Sequence, residues 1–128
     1  AMIVLAIRSD TSATHLLLSR EQAVISEIKW ESGRQLAKDI LSEIQKLCEG
    51  ASITIQDING VICFQGPGSF TGLRIGITVG NALAYANNIP IVGSSGDDWH
   101  ADGLAKLVDS DKRAIILPEY GSEPNITL

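Results

Sequence analysis

The hydrophobic pattern of the chain changes near residue 35, and this change limits the folds that the chain can adopt. Before it, apolar residues are continuous in Ile3–Ile7 and fall on one face of Ala23–Trp30, which is typical of strands. After it, Gln35–Glu49 carries apolar residues at helical spacing, with charged and amide side chains on the rest of the helix. The sequence therefore predicts a strand-rich beginning followed by helices and strands in alternation.

The other segments extend this order. We predict a strand at Thr14–Leu18 that forms a hairpin with Ala23–Trp30, then a strand at Ile58–Phe64, a helix at Thr71–Asn88, a strand at Pro90–Val92, a helix at Asp102–Asp109 and a strand at Ala114–Leu117. Leading strands followed by helix–strand repeats predict an α/β fold with a mixed sheet and right-handed crossovers. At 128 residues, we expect one domain over 2–117 and an irregular tail over 118–128.

Composition excludes several classes of protein. The net charge is -5 and no run of Lys or Arg occurs, so strong direct binding of nucleic acid is not expected. No stretch is long and apolar enough to span a membrane, and a cytoplasmic location is predicted. Cys48 and Cys63 lie in apolar surroundings without a CxxC pattern, which favours buried thiols in a reducing compartment over a redox pair or metal ligands.

A glycine-rich segment joins the Ile58–Phe64 strand to the next helix. Its turn residues are Gly66, Pro67, Gly68, Ser69, Phe70, Thr71, Gly72 and Arg74. One interpretation is anion binding at the helix N-terminus, and the other is a tight strand-to-helix turn. The lysine of a phosphate loop is missing, and the glycine spacing fits neither the dinucleotide-binding pattern nor the hydrolase elbow.

The helix after this turn has a stripe of small residues. Gly72, Gly76, Gly80 and Ala84 recur every four residues, and Arg74 is the only charge between Thr71 and Asn88. Each glycine costs roughly 1 kcal/mol relative to alanine, so close approach of another element should offset it. That element is either the chain's own sheet or first helix, or a partner's helix. We predict a partner interface through both helices, formed by Leu36, Ile40, Ile44, Leu73, Gly76, Ile77, Gly80 and Ala84.

The segment from Gly66 to Gly76 resembles the signature of the TsaB (YeaZ) family, once labelled glycoproteases. The similarity also covers Ala82–Ala86, Asn88–Gly93 and Trp30–Arg34, and extends over roughly residues 2–95. The resemblance implies a ribonuclease-H-like lobe of the actin-like ATPase superfamily, with a mixed five-stranded sheet and helices on both faces. It also implies a tRNA-processing role.

In that role the chain would be a non-catalytic partner of a TsaD-like catalytic subunit, joined by a TsaE-like ATPase, in forming threonylcarbamoyladenosine in tRNA. No cofactor or metal is expected on the chain, and self-association without that partner is left open. Two departures stand out. Arg8 and Ser9 occupy the positions where the family has Asp and Thr, and we expect the family's second lobe to be absent after residue 117.

Other functions remain as alternatives. A nucleotide- or phosphate-binding, kinase-like domain would use the same fold, but normally needs two lobes. A glycoprotease-type peptidase would need Ser69 beside a histidine, and neither His15 nor His100 is placed by a motif. Asp97, Asp98, His100 and Asp102 form an acidic cluster, which is either a metal site or the start of the third helix.

Overall fold

The computed structural model describes residues 2–68 and 70–109, which form a mixed five-stranded sheet flanked by helices. The elements are β1 (Ile3–Arg8), β2 (Ala13–Arg20), β3 (Ala23–Glu31), α1 (Leu36–Gly50), β4 (Gly60–Phe64), α2 (Phe70–Asn87), β5 (Ile91–Ser94) and α3 (Trp99–Asp109). The strand order is β3-β2-β1-β4-β5. The pairs β1–β2 and β2–β3 are antiparallel, whereas β1–β4 and β4–β5 are parallel. The predicted mixed sheet is confirmed.

Strand β1 lies at the centre of the sheet, which explains its unbroken apolar sequence. Ile3, Leu5 and Ile7 belong to the first core, formed with α1 and α2. Val4 and Ala6 belong to the second core, on the other face. Because successive side chains of a strand point to opposite faces, a strand covered on both faces needs apolar residues throughout.

The helices cover both faces of the sheet. The first core takes its helical residues mainly from α1, including Leu36, Ile40 and Ile44. The second core packs Trp99 and Leu107 of α3 against the other face. Within the described part of the chain, no helix is both long and apolar enough to cross a membrane.

Several predicted boundaries differ from the structure. Helix α3 begins at Trp99 instead of Asp102, because the Trp99 ring is buried and meets Phe64 edge-on with ring centroids 5.9 Å apart. Strand β4 begins at Gly60, since Ile55–Asp57 forms a 3-10 turn capped by Thr54. Strand β5 is shifted to Ile91–Ser94. The strand predicted at 114–117 and the tail at 118–128 lie outside the described residues.

Strand β3 is an edge of the sheet. It is 9 residues long and pairs with β2 alone among the described residues. The register between β2 and β3 shifts once. Leu18 pairs with Ser26 and Ser19 pairs with Val24, so Ile25 has no partner and forms a bulge. The other edge strand, β5, is only 4 residues long.

Candidate functional site

The glycine turn connects the end of β4 to the start of α2. Gly66 has a φ of 114°, a backbone conformation that favours glycine, and its peptide bond to Pro67 is cis. Ser69 lies outside the described residues, so its assignment to the turn and to a peptidase site stays untested. The predicted strand–turn–helix order around this segment is confirmed.

The loop after β1 packs directly against the glycine turn. A Cβ atom on Gly68 would lie 2.5 Å from the Cβ of Asp10 and 3.0 Å from its carbonyl oxygen. Ser9 is buried, and its hydroxyl donates a hydrogen bond of 2.7 Å to the carbonyl oxygen of Gly72. These contacts within the chain account for the absence of a side chain at Gly68 without invoking a bound phosphate.

Arg8 occupies the crevice at the carboxyl ends of the parallel strands β1 and β4. Its guanidinium forms two hydrogen bonds to Asp10, with Nε–Oδ1 at 2.9 Å and Nη2–Oδ2 at 3.2 Å. Its Cζ lies 3.9 Å from the centroid of the Phe64 ring. Ligands of α/β sheets bind at such strand ends. Here the nearby carboxylate is already paired with a cation of the same chain, so these residues do not fit a magnesium–nucleotide site.

The acidic cluster lies at the start of α3. Asp97 and Asp98 are exposed just before the helix, and Asp102 is exposed in its first turn, where the helix dipole favours negative charge. Among the described residues, no three His, Cys, Asp or Glu side chains are grouped so that they could share a metal ion.

The two histidines have separate surroundings. His15 contacts the carboxylate of Glu27 on the neighbouring strand. Burial lowers the pKa of His100, and the nearby His15 lowers it further. The Nε2 atom of His100 is buried without a hydrogen-bond partner. Neither histidine can be placed relative to Ser69, so the structure gives no support to the peptidase alternative.

Cys48 and Cys63 are unpaired and buried, as predicted. Cys48 belongs to α1 and Cys63 to β4, and both lie in the first core. Burial raises the pKa of both thiols, and that of Cys63 reaches about 12. Since the thiolate is the reactive form, neither side chain has the surroundings of a redox or nucleophilic site.

The Cys63 thiol should make the protein less stable at alkaline pH. Its pKa rises from 9.0 to about 12 on folding, so the unfolded chain loses this proton first. The stabilisation is complete below pH 9.0 and is lost as the pH rises toward about 12. The free energy of unfolding should therefore fall by up to roughly 1.4 kcal/mol per pH unit in this range because of Cys63.

Urea titrations of the wild type and of Cys63→Ala at several alkaline pH values measure this contribution. The Cys63→Ala variant should show the shallower fall. Cys48→Ala is the comparison variant: it loses only the contribution of Cys48, whose pKa is also raised, and keeps that of Cys63, so its fall should stay steeper than that of Cys63→Ala. Equal slopes for the wild type and Cys63→Ala would contradict the prediction.

Gly76 and Gly80 of α2 face the sheet of the same chain. A Cβ atom on Gly76 would collide with the hydroxyl of Ser9 and lie 3.2 Å from Cγ2 of Ile7. One on Gly80 would collide with the sulfur of Cys63 and lie 3.3 Å from Cδ1 of Ile91. Of the two interpretations of the small-residue stripe, the structure therefore supports close packing on the chain's own sheet.

All residues predicted to contact a partner are buried inside the chain. This holds for Leu36, Ile40, Ile44, Leu73, Gly76, Ile77, Gly80 and Ala84. In the single chain these side chains are covered by the chain itself, and their predicted contact with a partner stays a prediction. An interface on the outer side of the same two helices is not tested by this burial and stays a prediction.

The outer side of α1 and α2 forms what we call the two-helix surface. Its residues are Ala37, Leu41, Thr71, Arg74, Ile75, Thr78, Val79, Ala82 and Tyr85. Leu41 is 52% exposed and Tyr85 is 87% exposed. A groove of about 390 Å³ lies between the helices. Its only charged lining residue is Arg74, and the lining consists of Ala37, Thr71, Arg74, Ile75, Thr78 and Val79. The helical spacing of the apolar residues identified the buried face of each helix. It gave no sign that the residues of the two-helix surface would form an exposed apolar patch.

Comparisons with known proteins identify the family. The family model "TsaD: tRNA N6-adenosine threonylcarbamoyltransferase" matches residues 24–111. Proteins named TsaB from Bacillus subtilis, Buchnera aphidicola and Escherichia coli are 29%, 37% and 28% identical, over 88%, 73% and 97% of this chain. The chain belongs to the TsaB (YeaZ) family. It spans 52%, 44% and 57% of those relatives, so about half of their length.

Solved structures agree with this assignment. YeaZ from Pseudomonas aeruginosa superposes with a TM-score of 0.68 at 27% identity, over 74% of this chain and 44% of that one. RuvC from T. thermophilus, bound to a Holliday junction, superposes with a TM-score of 0.50 at 9% identity, which bears on the fold alone. The family predicted from the Gly66–Gly76 segment and the ribonuclease-H-like fold are both confirmed.

Proposed function

We propose that the chain is a non-catalytic subunit in the formation of threonylcarbamoyladenosine in tRNA, and that it binds a TsaD-like catalytic subunit through the two-helix surface. The relatives that it matches are named as TsaB biosynthesis proteins or as the threonylcarbamoyltransferase itself. The proposal includes a TsaE-like ATPase as a further component and the cytoplasm as the location.

The exposed, nearly uncharged outer side of α2 carries this proposal. From Thr71 to Tyr85 its outward residues include one charge, at Arg74, and the ring of Tyr85 is 87% exposed. The exposed side chain of Leu41 on α1 continues the apolar surface. Large exposed apolar side chains beside a groove mark interaction sites, and tyrosine is a common anchor of protein interfaces.

The arrangement around Arg8 supports a non-catalytic role. A subunit that hydrolysed or transferred phosphate would need a free carboxylate at the strand ends to hold a metal ion. In this chain Arg8 pairs with the Asp10 carboxylate and stacks on Phe64 at that place. The net charge of -5 also supports leaving the contacts with tRNA to another subunit.

Replacing Tyr85 by aspartate tests the surface. The change buries a charge in the proposed interface, and we expect it to weaken binding to the TsaD-like protein of the same organism about tenfold or more. Val108→Asp is the matched control, since Val108 is 69% exposed on α3, across the sheet. Titration calorimetry measures both affinities, and thermal melts establish that both variants are folded.

A wild-type chain that does not bind the TsaD-like protein would refute the proposal. Equal binding by folded Tyr85→Asp and Val108→Asp variants would refute the assignment to the two-helix surface.

A further inference from the structure

A second groove adjoins the two-helix surface at the start of α2. It has a volume of about 490 Å³ and lies between the loop after β1, the 3-10 turn before α1 and the first turns of α2. Its lining includes Thr11, Ser12, Arg34, Leu36, Thr71 and Ile75. Thr71 and Ile75 also line the groove between the helices, so the two grooves adjoin. We call them together the joined groove.

The joined groove carries positive charge only. Arg74 lines the part between the helices, and Arg34 lines the part beside the loop after β1. Of the described residues that line either part, none is an aspartate or a glutamate. Both arginines are exposed, and within residues 2–68 and 70–109 neither guanidinium has an ion-pair or hydrogen-bond partner. The net charge of the chain is -5, so the groove differs in sign from the molecule as a whole.

Two hydroxyl groups of the groove already donate hydrogen bonds within the chain. Thr11 Oγ1 donates to the carbonyl oxygen of Ala13 at 3.1 Å. Ser12 Oγ donates to the carboxylate of Glu31 at 3.0 Å. Since these hydrogens are in use, an anion that enters the groove is held mainly by the two guanidinium groups.

The turn that carries Arg34 is anchored to the loop after β1. The carbonyl oxygen of Ser12 accepts hydrogen bonds from the backbone N–H groups of Ser32 and Gly33, at 2.9 and 3.1 Å. It also accepts one from the Ser32 hydroxyl at 3.1 Å. A backbone that is already ordered loses less entropy when a ligand binds, so the position of Arg34 favours binding.

Covering the joined groove without a counter-charge is unfavourable. The proposed function places a partner on the two-helix surface, which removes water from around Arg74. A buried charge is stable only when it is paired and hydrogen-bonded. A carboxylate suits an arginine best, because its two oxygens accept two parallel hydrogen bonds from one guanidinium.

We propose that the joined groove receives an acidic segment of the TsaD-like subunit, whose carboxylates pair with Arg34 and Arg74. This inference rests on the proposed function and adds to it the charge of the partner's contact surface. The apolar side chains of the two-helix surface supply the buried area, and the two arginines fix the register of the segment along the groove. Nucleic acid phosphate is less suitable, because two arginines in a chain of net charge -5 attract a polyanion weakly.

Charge reversal tests the arginines separately from the apolar contact. We expect Arg34→Glu and Arg74→Glu each to raise the dissociation constant for the TsaD-like protein of the same organism about tenfold or more. Arg20→Glu is the matched control and should leave it unchanged, since Arg20 is exposed at the end of β2 far from the groove. Titration calorimetry at low and high salt measures the affinities, and the wild type should bind more weakly at high salt. Thermal melts establish that the variants are folded.

Carbodiimide cross-linking identifies the chemical class of the group that meets Arg34. Arg34→Lys keeps the positive charge and supplies an amine, which carbodiimide joins to a carboxylate in direct contact. Mass spectrometry of the complex should find position 34 linked to an aspartate or a glutamate of the TsaD-like subunit. Arg20→Lys should give no such link.

The result for Tyr85→Asp separates this inference from the proposed function. If Tyr85→Asp weakens binding whereas folded Arg34→Glu and Arg74→Glu variants bind like the wild type, the two-helix surface is retained and the acidic segment is refuted. Absence of a cross-link from Arg34→Lys in a complex that forms would also refute it. Binding of tRNA by the chain alone that is lost in Arg34→Glu would assign the arginines to phosphate and overturn the inference. A wild type that does not bind the TsaD-like protein refutes both proposals.

Discussion

Replacing Gly80 by leucine is expected to lower the free energy of unfolding by about 3 kcal/mol, which is the upper end for overpacking a core. The added Cβ would collide with the sulfur of Cys63 and crowd Cδ1 of Ile91 and Cγ1 of Val61. Urea denaturation measures the loss. Ala82→Leu, at an exposed position on the same helix, is the control and should change stability by no more than about 0.5 kcal/mol.

A smaller pair of substitutions identifies the atom responsible. Gly80→Ala adds only the colliding Cβ, and Cys63→Ala removes the sulfur that it would meet. We therefore expect Gly80→Ala to be tolerated better in the Cys63→Ala background than in the wild type, by about 1 kcal/mol or more for residues in direct contact. A fully stable Gly80→Leu variant that fails only to bind a partner would show that Gly80 faces outward.

Ile44→Ala is expected to cost about 2–5 kcal/mol of stability, the usual range for truncating a fully buried isoleucine. Ile44 is 0% exposed in the first core, whereas Leu41 on the same helix is 52% exposed. Leu41→Ala should therefore change stability by less than about 1 kcal/mol. Denaturation curves of the two variants, recorded together with their affinities for the TsaD-like protein, separate folding from binding.

The same pair of variants tests which residues of the two helices contact a partner. If Ile44 contributed mainly to a partner, Ile44→Ala would remain stable and lose affinity. We expect the reverse order, in which Ile44→Ala loses stability and Leu41→Ala loses affinity.

The order of elements could be predicted because each segment carries its own periodic signal. The unbroken apolar run Ile3–Ile7 indicates a strand buried on both faces, and α1 shows a clear helical stripe. Predicted boundaries differ from the structure where a tertiary contact decides them. Trp99 begins α3 because its ring packs against Phe64, a contact that local sequence does not show.

The candidate site was only partly predictable for the same reason. The spacing of Gly76 and Gly80 shows that they share a face of α2, but the neighbours that require glycine are Ser9 and Cys63, on other elements. Arg8 was recognised from the sequence as a departure from the family. Its pairing with Asp10 and its stacking on Phe64 depend on how β1 and β4 end side by side.

Because α2 packs closely on the sheet, its inner residues are constrained by folding and its outer residues by any partner that binds. Gly76 and Gly80 are required by the packing of the fold, so a related protein that no longer bound a partner would still need them. Thr78, Ala82 and Tyr85 point away from that constraint and would drift in such a descendant. Related sequences that keep the two glycines but vary at these three exposed positions would therefore be candidates for having lost the partner.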